Sequence, residues 1–180
     1  TPQMQALTAV NPNAVAIPVT RVNGVTTVIA APSGGLFPGT AALINLVGYT
    51  PEQMFAGFKG VVMNFPSSGR RGRWDRRSDA DRKKEEEKAL KELNDVWDNA
   101  LLYHRIDSAA RARGETPEYK PEMQALLPVL RGEAALLIEV DRENDIKQAL
   151  KWIEERQIEK AVLTGVAEGW RVAGEIAAAG

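Results

Sequence analysis

The last third of the chain alternates between short apolar runs and amphipathic helical patterns. Residues 134–140 (AALLIEV) form an apolar run, and a segment with apolar residues at three- and four-residue steps follows it. Residues 160–163 form a second apolar run, and a second helical stretch covers 168–179. Strands of a parallel sheet are buried on both faces and therefore read as continuous apolar runs. This alternation predicts a strand–helix–strand–helix unit of a parallel α/β sheet.

The upstream part of the chain contains further strand patterns and one long helical pattern. The predicted strands cover residues 25–30, 41–47 and 59–65, and residues 3–22 are expected to be mostly helical. A long charged helix is predicted over residues 78–113, with an apolar stripe formed by Leu90, Leu93, Trp97, Leu101 and His104. The chain is therefore expected to be one α/β domain, residues 1–180, built from parallel βα units with about five strands.

The carboxyl ends of the predicted strands are where this class of fold places its chemistry. Glu139 and Asp141 come at the end of one strand, and Thr164 and Glu168 follow the next. A carboxylate near the end of a buried strand must find a donor, a cation or water, because an unpaired buried charge is costly. Glu139 is thus a candidate metal ligand or general base, with a structural partner or solvent as the alternative.

For Asp141 and Glu168, a structural role competes with a functional one. An Asp directly before a helical pattern is a favourable N-cap, so capping is the preferred interpretation of Asp141. Glu168 in a first helical turn is favoured by the helix dipole. Thr164 and Glu168 are nevertheless retained as candidate substrate-binding residues, because both lie in the same strand-to-helix loop.

Composition excludes several classes of function. The net charge of −1 argues against a domain-wide preference for nucleic acid or anionic membrane, and no apolar run approaches the roughly 20 residues of a membrane helix. There is no cysteine and one histidine, His104, so neither a disulfide nor a Cys/His zinc site can form within the chain. Cysteine-free proteins occur in both cytoplasm and periplasm. The start TPQMQAL, without Met, is expected for a processed protein or an excised piece.

A basic segment follows the third predicted strand. It covers residues 67–77 and includes Arg70, Arg71 and Arg73, and further Arg and Lys residues follow in the long helix. Such a patch could contact phosphates. Acidic residues are interleaved with the basic ones, however, and few aromatic residues accompany them, so a solvated loop and helix face is preferred and no nucleic-acid partner is expected.

Several of these segments together resemble the amidohydrolase superfamily, and within it the imidazolonepropionase-like metal-dependent hydrolases. The resemblance lies in residues 141–149 (DRENDIKQA) and 160–173 (KAVLTGVAEGWRVA), and in residues 24–30, the glycine-rich loop 32–39, and residues 40–48 and 60–63. It covers most of the chain except the long helix. No single motif is diagnostic; the order and the spacing carry the resemblance.

The resemblance implies an internal part of a TIM-type β/α barrel, without the first strand and its His-x-His motif and without the last strands and the catalytic Asp. Full-length relatives hydrolyse amide or cyclic amide C–N bonds of small molecules with a zinc-type divalent metal. This chain departs from the family pattern, because Glu139 stands where a metal-binding His is common and Gly165 where another is expected. Val62 and Met63 occupy the strand that carries a metal-bridging Lys in some members.

Two functions remain open at this point. The chain is a fragment of an amidohydrolase-like barrel that is inactive alone and binds no metal by itself, or it belongs to a non-catalytic relative that uses the barrel as a binding or structural scaffold. A sheet with fewer strands than a closed barrel leaves edges and an apolar face unpaired. Self-association through these edges is therefore expected, unless the long helix covers them.

Overall fold

The fold is built on a mixed sheet of five strands that curls like part of a barrel. The computed structural model describes residues 1–67, 69 and 76–180. The strands are β1 (Thr27–Ala30), β2 (Gly39–Asn45), β3 (Phe55–Asn64), β4 (Ala135–Val140) and β5 (Ala161–Gly165). They follow one another in the sheet in chain order. All five coincide with apolar runs that predicted strands.

The direction of one strand, β2, differs from the all-parallel sheet expected from the sequence. The pairs β1–β2 and β2–β3 are antiparallel, whereas β3–β4 and β4–β5 are parallel. The connections 31–38 and 46–54 are short, and short connections suit antiparallel neighbours. Parallel neighbours need a crossover that returns the chain to the same end of the sheet. The crossovers here are the long segment 65–134 and the helical segment 141–160.

Helices cover one face of the sheet, called here the outer face. They are α1 (Ala16–Val22), α2 (Pro51–Met54), α3 (Asp79–Ala112), α4 (Pro121–Gln124), α5 (Leu127–Leu130), α6 (Glu143–Arg156) and α7 (Ala173–Ala179). Two 3₁₀ turns, Ala6–Ala9 and Gly169–Arg171, complete the regular elements. Residues 3–22 are thus less helical than predicted. No helix in the described part of the chain is long and apolar enough to cross a membrane.

The main core lies between the outer face and the helices α3 and α6. Leu93 and Trp97 of α3 pack with Ile146 and Trp152 of α6 over the outward-facing residues of β3 and β4. The rings of Trp97 and Trp152 meet edge to face, with their centroids 5.2 Å apart. The predicted apolar stripe of α3 is therefore its buried face. Trp170 is 74% exposed and lies beside the guanidinium of Arg171.

Local capping explains where two of the helices begin. The hydroxyl of Ser78 accepts a hydrogen bond from the N–H of Asp81 and thereby caps α3. Thr50 caps α2 in the same way through the N–H of Gln53, and Pro51 occupies the first turn. These polar side chains satisfy backbone donors that the first turn of a helix leaves free.

The opposite face of the sheet, called here the inner face, carries a small apolar cluster and no helix. Ala41, Val62 and Leu137 pack together there, with Phe58 at the margin. Val162 pairs with Leu137 in register and is 45% exposed, and Ile29 on β1 is 49% exposed. Within the described residues, the outer edges of β1 and β5 pair with no further strand. The inner face and both edges of the sheet are therefore open.

Candidate functional site

Three polar residues stand side by side at the carboxyl ends of the three parallel strands. Asn64 of β3 pairs in register with Glu139 of β4, and Glu139 pairs with Thr164 of β5. Each comes two residues after an apolar residue of the inner face, namely Val62, Leu137 and Val162. Because side chains alternate along a strand, the polar row also points to the inner face.

The carboxylate of Glu139 is accessible at the carboxyl end of β4. Its side chain is exposed, on the face away from the helices, and it makes no hydrogen bond or ion pair within the described residues. Its backbone carbonyl accepts a hydrogen bond from the N–H of Phe65 and extends the pairing of β3 with β4. Glu139 therefore has a carboxylate that is available to a ligand. The open end of the sheet at Asn64, Glu139 and Thr164 is called here the mouth.

Asn64 is a member of this row that the sequence interpretation missed. Its Nδ2 donates to the carbonyl oxygen of Gly35 at 2.6 Å and so ties β3 to the glycine-rich loop. Its Oδ1 is buried and accepts no hydrogen bond within the described part of the chain. The sequence did contain a signal for Asn64. It is the polar residue directly after the apolar run Val61–Met63, just as Glu139 directly follows the apolar run 134–138. The hydrogen bond from Asn64 Nδ2 holds the glycine-rich loop at the end of β3.

A cavity of about 300 Å³ opens beside Glu139. Its walls include Asn64, Ser67, Glu139, Asp141 and Asp145, and the charged residues of the described part of the lining are all acidic. Asp145 lies in the first turn of α6 and is 3% exposed, and the Ser67 hydroxyl donates a hydrogen bond to its Oδ2. Ser67 therefore supplies the partner that a buried carboxylate requires.

The loop after β5 contains the two candidate substrate-binding residues and contacts the start of α6. Thr164 is half-buried in the polar row, but Glu168 serves α6: its Oε2 accepts a hydrogen bond from the N–H of Glu143 at 2.9 Å. Asp141 does not cap α6. Arg142 occupies the N-cap position without a side-chain cap bond, and Asp141 uses its backbone carbonyl to accept the N–H of Glu168. The capping prediction for Asp141 was therefore wrong.

Asp141 instead occupies the space above Gly165. A Cβ atom at position 165 would lie 2.5 Å from Asp141 Oδ1, and Gly165 has a φ of +81°. Both the contact and the positive φ disfavour any larger residue there. The position at which the family resemblance places a second metal ligand thus has no side chain, and its backbone conformation favours glycine.

Ion pairs support the first turn of α6 beside the mouth. Lys147 bonds Glu143 at 3.0 Å and Glu175 at 3.3 Å, which connects α6 with α7. The hydrogen bond from Lys147 is the main cause that lowers the pKa of Glu143, and the same contact raises the pKa of Lys147. These groups stay charged near neutral pH and link α6 to α7.

The described side chains at the mouth do not form a metal site by themselves. Within residues 1–67, 69 and 76–180, no group of three or more His, Cys, Asp or Glu side chains is arranged to hold a metal ion. His104 lies on α3, in the helix layer rather than on the polar row. The basic loop falls largely outside the described residues, since only Ser67, Gly69, Arg76 and Arg77 of 67–77 are described.

Comparison with known proteins gives one structural likeness. No protein-family model matches the sequence, and no curated protein matches it. The structure is similar to the crystal structure of an amidohydrolase from Thermotoga maritima MSB8, with a TM-score of 0.78 and 23% sequence identity. The chain has an amidohydrolase-like fold. The similarity covers 96% of this chain and 45% of that chain, so the protein spans about half the length of the structure that it matches.

Proposed function

We propose that this chain is part of an amidohydrolase-like β/α barrel of the imidazolonepropionase-like type. In this proposal the complete protein hydrolyses an amide or cyclic amide C–N bond of a small molecule, and the chain alone is inactive. The observation that carries the proposal is the structural match, which includes nearly the whole chain but only 45% of the amidohydrolase. The open inner face and the unpaired edges of β1 and β5 support it, because a complete barrel would cover both.

The polar row is the proposed ligand-facing part of this site. Glu139 and Thr164 stand at the carboxyl ends of parallel strands, where barrel enzymes bind their substrates. Glu139 is the proposed metal ligand and Thr164 a proposed substrate contact. Glu168 is the weaker substrate candidate, since its carboxylate is already hydrogen-bonded to α6.

A zinc-type metal does not fit the residues that this chain provides. Glu139 is one carboxylate, and a catalytic zinc site commonly takes about three protein ligands. Gly165 offers none, because glycine has no side chain. Any metal would therefore need ligands from outside the described residues, and no catalytic step is assigned to a metal here.

The second candidate function is a non-catalytic scaffold that keeps the barrel fold and binds a ligand without hydrolysis. The positive φ of Gly165 favours it, because this backbone conformation disfavours a ligand side chain at that position. In both candidates the mouth near Glu139 binds a small molecule, and neither requires nucleic acid or a membrane.

The test compares the 180-residue chain with a longer polypeptide that contains it. After zinc loading and dialysis against a weak chelator, we expect no stoichiometric zinc and no amide hydrolysis from the chain alone. The longer polypeptide is expected to retain metal and to hydrolyse members of a panel of amides and cyclic amides. Stoichiometric zinc in the chain alone would overturn the first expectation. If the longer polypeptide retains no metal and hydrolyses no amide, the result supports the non-catalytic scaffold instead.

A further inference from the structure

A second cavity, of about 590 Å³, lies between the end of β3 and the first turns of α3. Its size is in the range of small-molecule sites. Among the described residues, three arginines and three glutamates line it, namely Arg77, Arg82, Arg142, Glu85, Glu86 and Glu92. Leu36, Phe65, Pro66 and Ala89 supply an apolar part of the wall. The described lining thus carries charges of both signs, which favours a ligand with separated positive and negative charges.

Glu86 is a buried charge of this lining with little hydrogen bonding. It is 8% exposed, and its hydrogen-bond partner is the Nε2 of Gln148, at a long 3.4 Å from Oε1. Within the described residues it has no ion pair. A buried carboxylate normally has a cation or several donors, so Glu86 retains acceptor capacity toward the cavity.

Arg82 is the corresponding cation. It is also 8% exposed, and its guanidinium bonds the carbonyl oxygen of Arg77 and the carboxylate of Asp79. The side chain of Asp79 is 92% exposed, so water screens its charge. A buried guanidinium with one solvent-exposed counter-ion can still bind an anion, because five donors exceed these two acceptors.

Arg82 and Glu86 are four residues apart on α3, so they lie on the same helix face, with about 6 Å between them along the axis. They form no ion pair with one another, and Arg82 is turned toward Asp79 instead. An ammonium and a carboxylate joined by one carbon atom can contact both.

We propose that this cavity binds a free α-amino acid with an apolar side chain. Its ammonium group donates to Glu86, its carboxylate accepts from Arg82, and its side chain lies against Phe65 and Leu36. The site adjoins the mouth, since Asn64, Phe65 and Ser67 line both cavities, but the inference does not depend on hydrolase activity.

The test is calorimetric or NMR titration of the 180-residue chain with L-leucine, L-valine and L-alanine. N-acetyl-L-leucine and L-leucinamide are the matched controls, because each removes one of the two charges. Saturable binding of at least one amino acid is expected, with both controls weaker by about tenfold or more. Absence of saturable binding for all three amino acids would overturn the proposal, and so would equal binding of either control.

The variants Glu86→Gln and Arg82→Gln are expected to weaken binding by about tenfold or more. Glu87→Gln, at an exposed neighbouring position on the same helix, is expected to bind like the unmodified chain. If circular dichroism shows that Arg82→Gln does not fold, binding by the isosteric Glu86→Gln variant is the test of the site. Unchanged binding by Glu86→Gln would refute the site even if the chain binds leucine elsewhere.

Discussion

The carboxylate of Glu168 accepts a hydrogen bond from the backbone N–H of Glu143, with 2.9 Å between Oε2 and N. This contact spans 25 residues and joins the loop after β5 to the first turn of α6. In the reverse direction, the N–H of Glu168 donates to the carbonyl oxygen of Asp141. The two hydrogen bonds fix the loops that follow β4 and β5 relative to one another, and thereby the side of the mouth formed by Glu139 and Thr164.

Removal of this cap should destabilise the fold. Glu168→Ala is expected to lower the free energy of unfolding by about 1 kcal/mol, the usual cost of losing an N-terminal cap. Glu168→Gln retains an acceptor oxygen and should cost less. Urea denaturation followed by circular dichroism measures both. Asp141→Ala is the control, because the Asp141 carboxylate makes no hydrogen bond in the described structure; a larger loss for this variant would contradict the assignment.

Asn94 connects the two long helices, and its removal should be costly. Its Oδ1 accepts from Trp152 Nε1 at 3.1 Å and from Arg156 Nη2 at 2.8 Å. Asn94→Ala leaves a buried indole N–H without an acceptor, so we expect a loss of about 1–3 kcal/mol in unfolding free energy. Asn99→Ala, at an exposed position of the same helix, should change little. Equal stability of the two variants in urea would disprove the role of Asn94.

Asp107 should make stability depend on pH in the acidic range. Its side chain is fully buried and bonds Arg111 and Arg131, each at 2.9 Å. The hydrogen bond from Arg111 is the largest cause that lowers the pKa of Asp107 in the folded state. As the pH falls below about 4, an unfolded Asp binds a proton before the folded one does. The stabilisation by Asp107 is therefore complete at neutral pH and is lost on acidification through its folded pKa.

Asp107→Asn should accordingly lower the urea midpoint at neutral pH, and the difference from the unmodified chain should narrow as the pH approaches the folded pKa. Asp98→Asn is the control, because Asp98 is 59% exposed in its pair with Arg156. A difference that is constant between neutral and acidic pH would show that the charge of Asp107 is not responsible.

Glu139→Gln should leave the fold intact. The carboxylate is exposed and unpaired within the described residues, so the thermal midpoint is expected to stay within experimental error. In a longer polypeptide with hydrolase activity, the same change should abolish turnover. Glu154→Gln, at an exposed position on the outer helix α6, is the matched control. Full activity of the longer polypeptide with Glu139→Gln would exclude Glu139 as a metal ligand.

The isolated chain should self-associate through its open inner face. Exposed apolar side chains on an unpaired sheet favour association with another chain. We expect sedimentation velocity to show concentration-dependent oligomers, and Val162→Lys to shift the distribution toward monomer. Val22→Lys places the same charge on α1, where Val22 is 86% exposed, and should have a smaller effect. A monomer at every concentration tested would contradict the prediction.

The sequence by itself determined the regular elements and the position of Glu139. Apolar runs and helical stripes are local patterns, so the five strands, the long α3 and the buried face with Leu93 and Trp97 could be predicted. The rule that chemistry lies at strand ends was enough to select Glu139, because alternation within 134–140 also predicts the face on which a side chain lies.

Only the tertiary structure decided strand direction, the α6 cap and the pairing of charges. An apolar run has the same pattern in both directions, so the sequence could not show that β2 runs antiparallel to β1 and β3. Glu168 reaches α6 across 25 residues, whereas sequence inspection favours a local cap such as Asp141. Arg82 and Glu86 read as a solvated helix face, yet both are buried beside a cavity. Burial depends on which segments pack together, and a local pattern does not encode that.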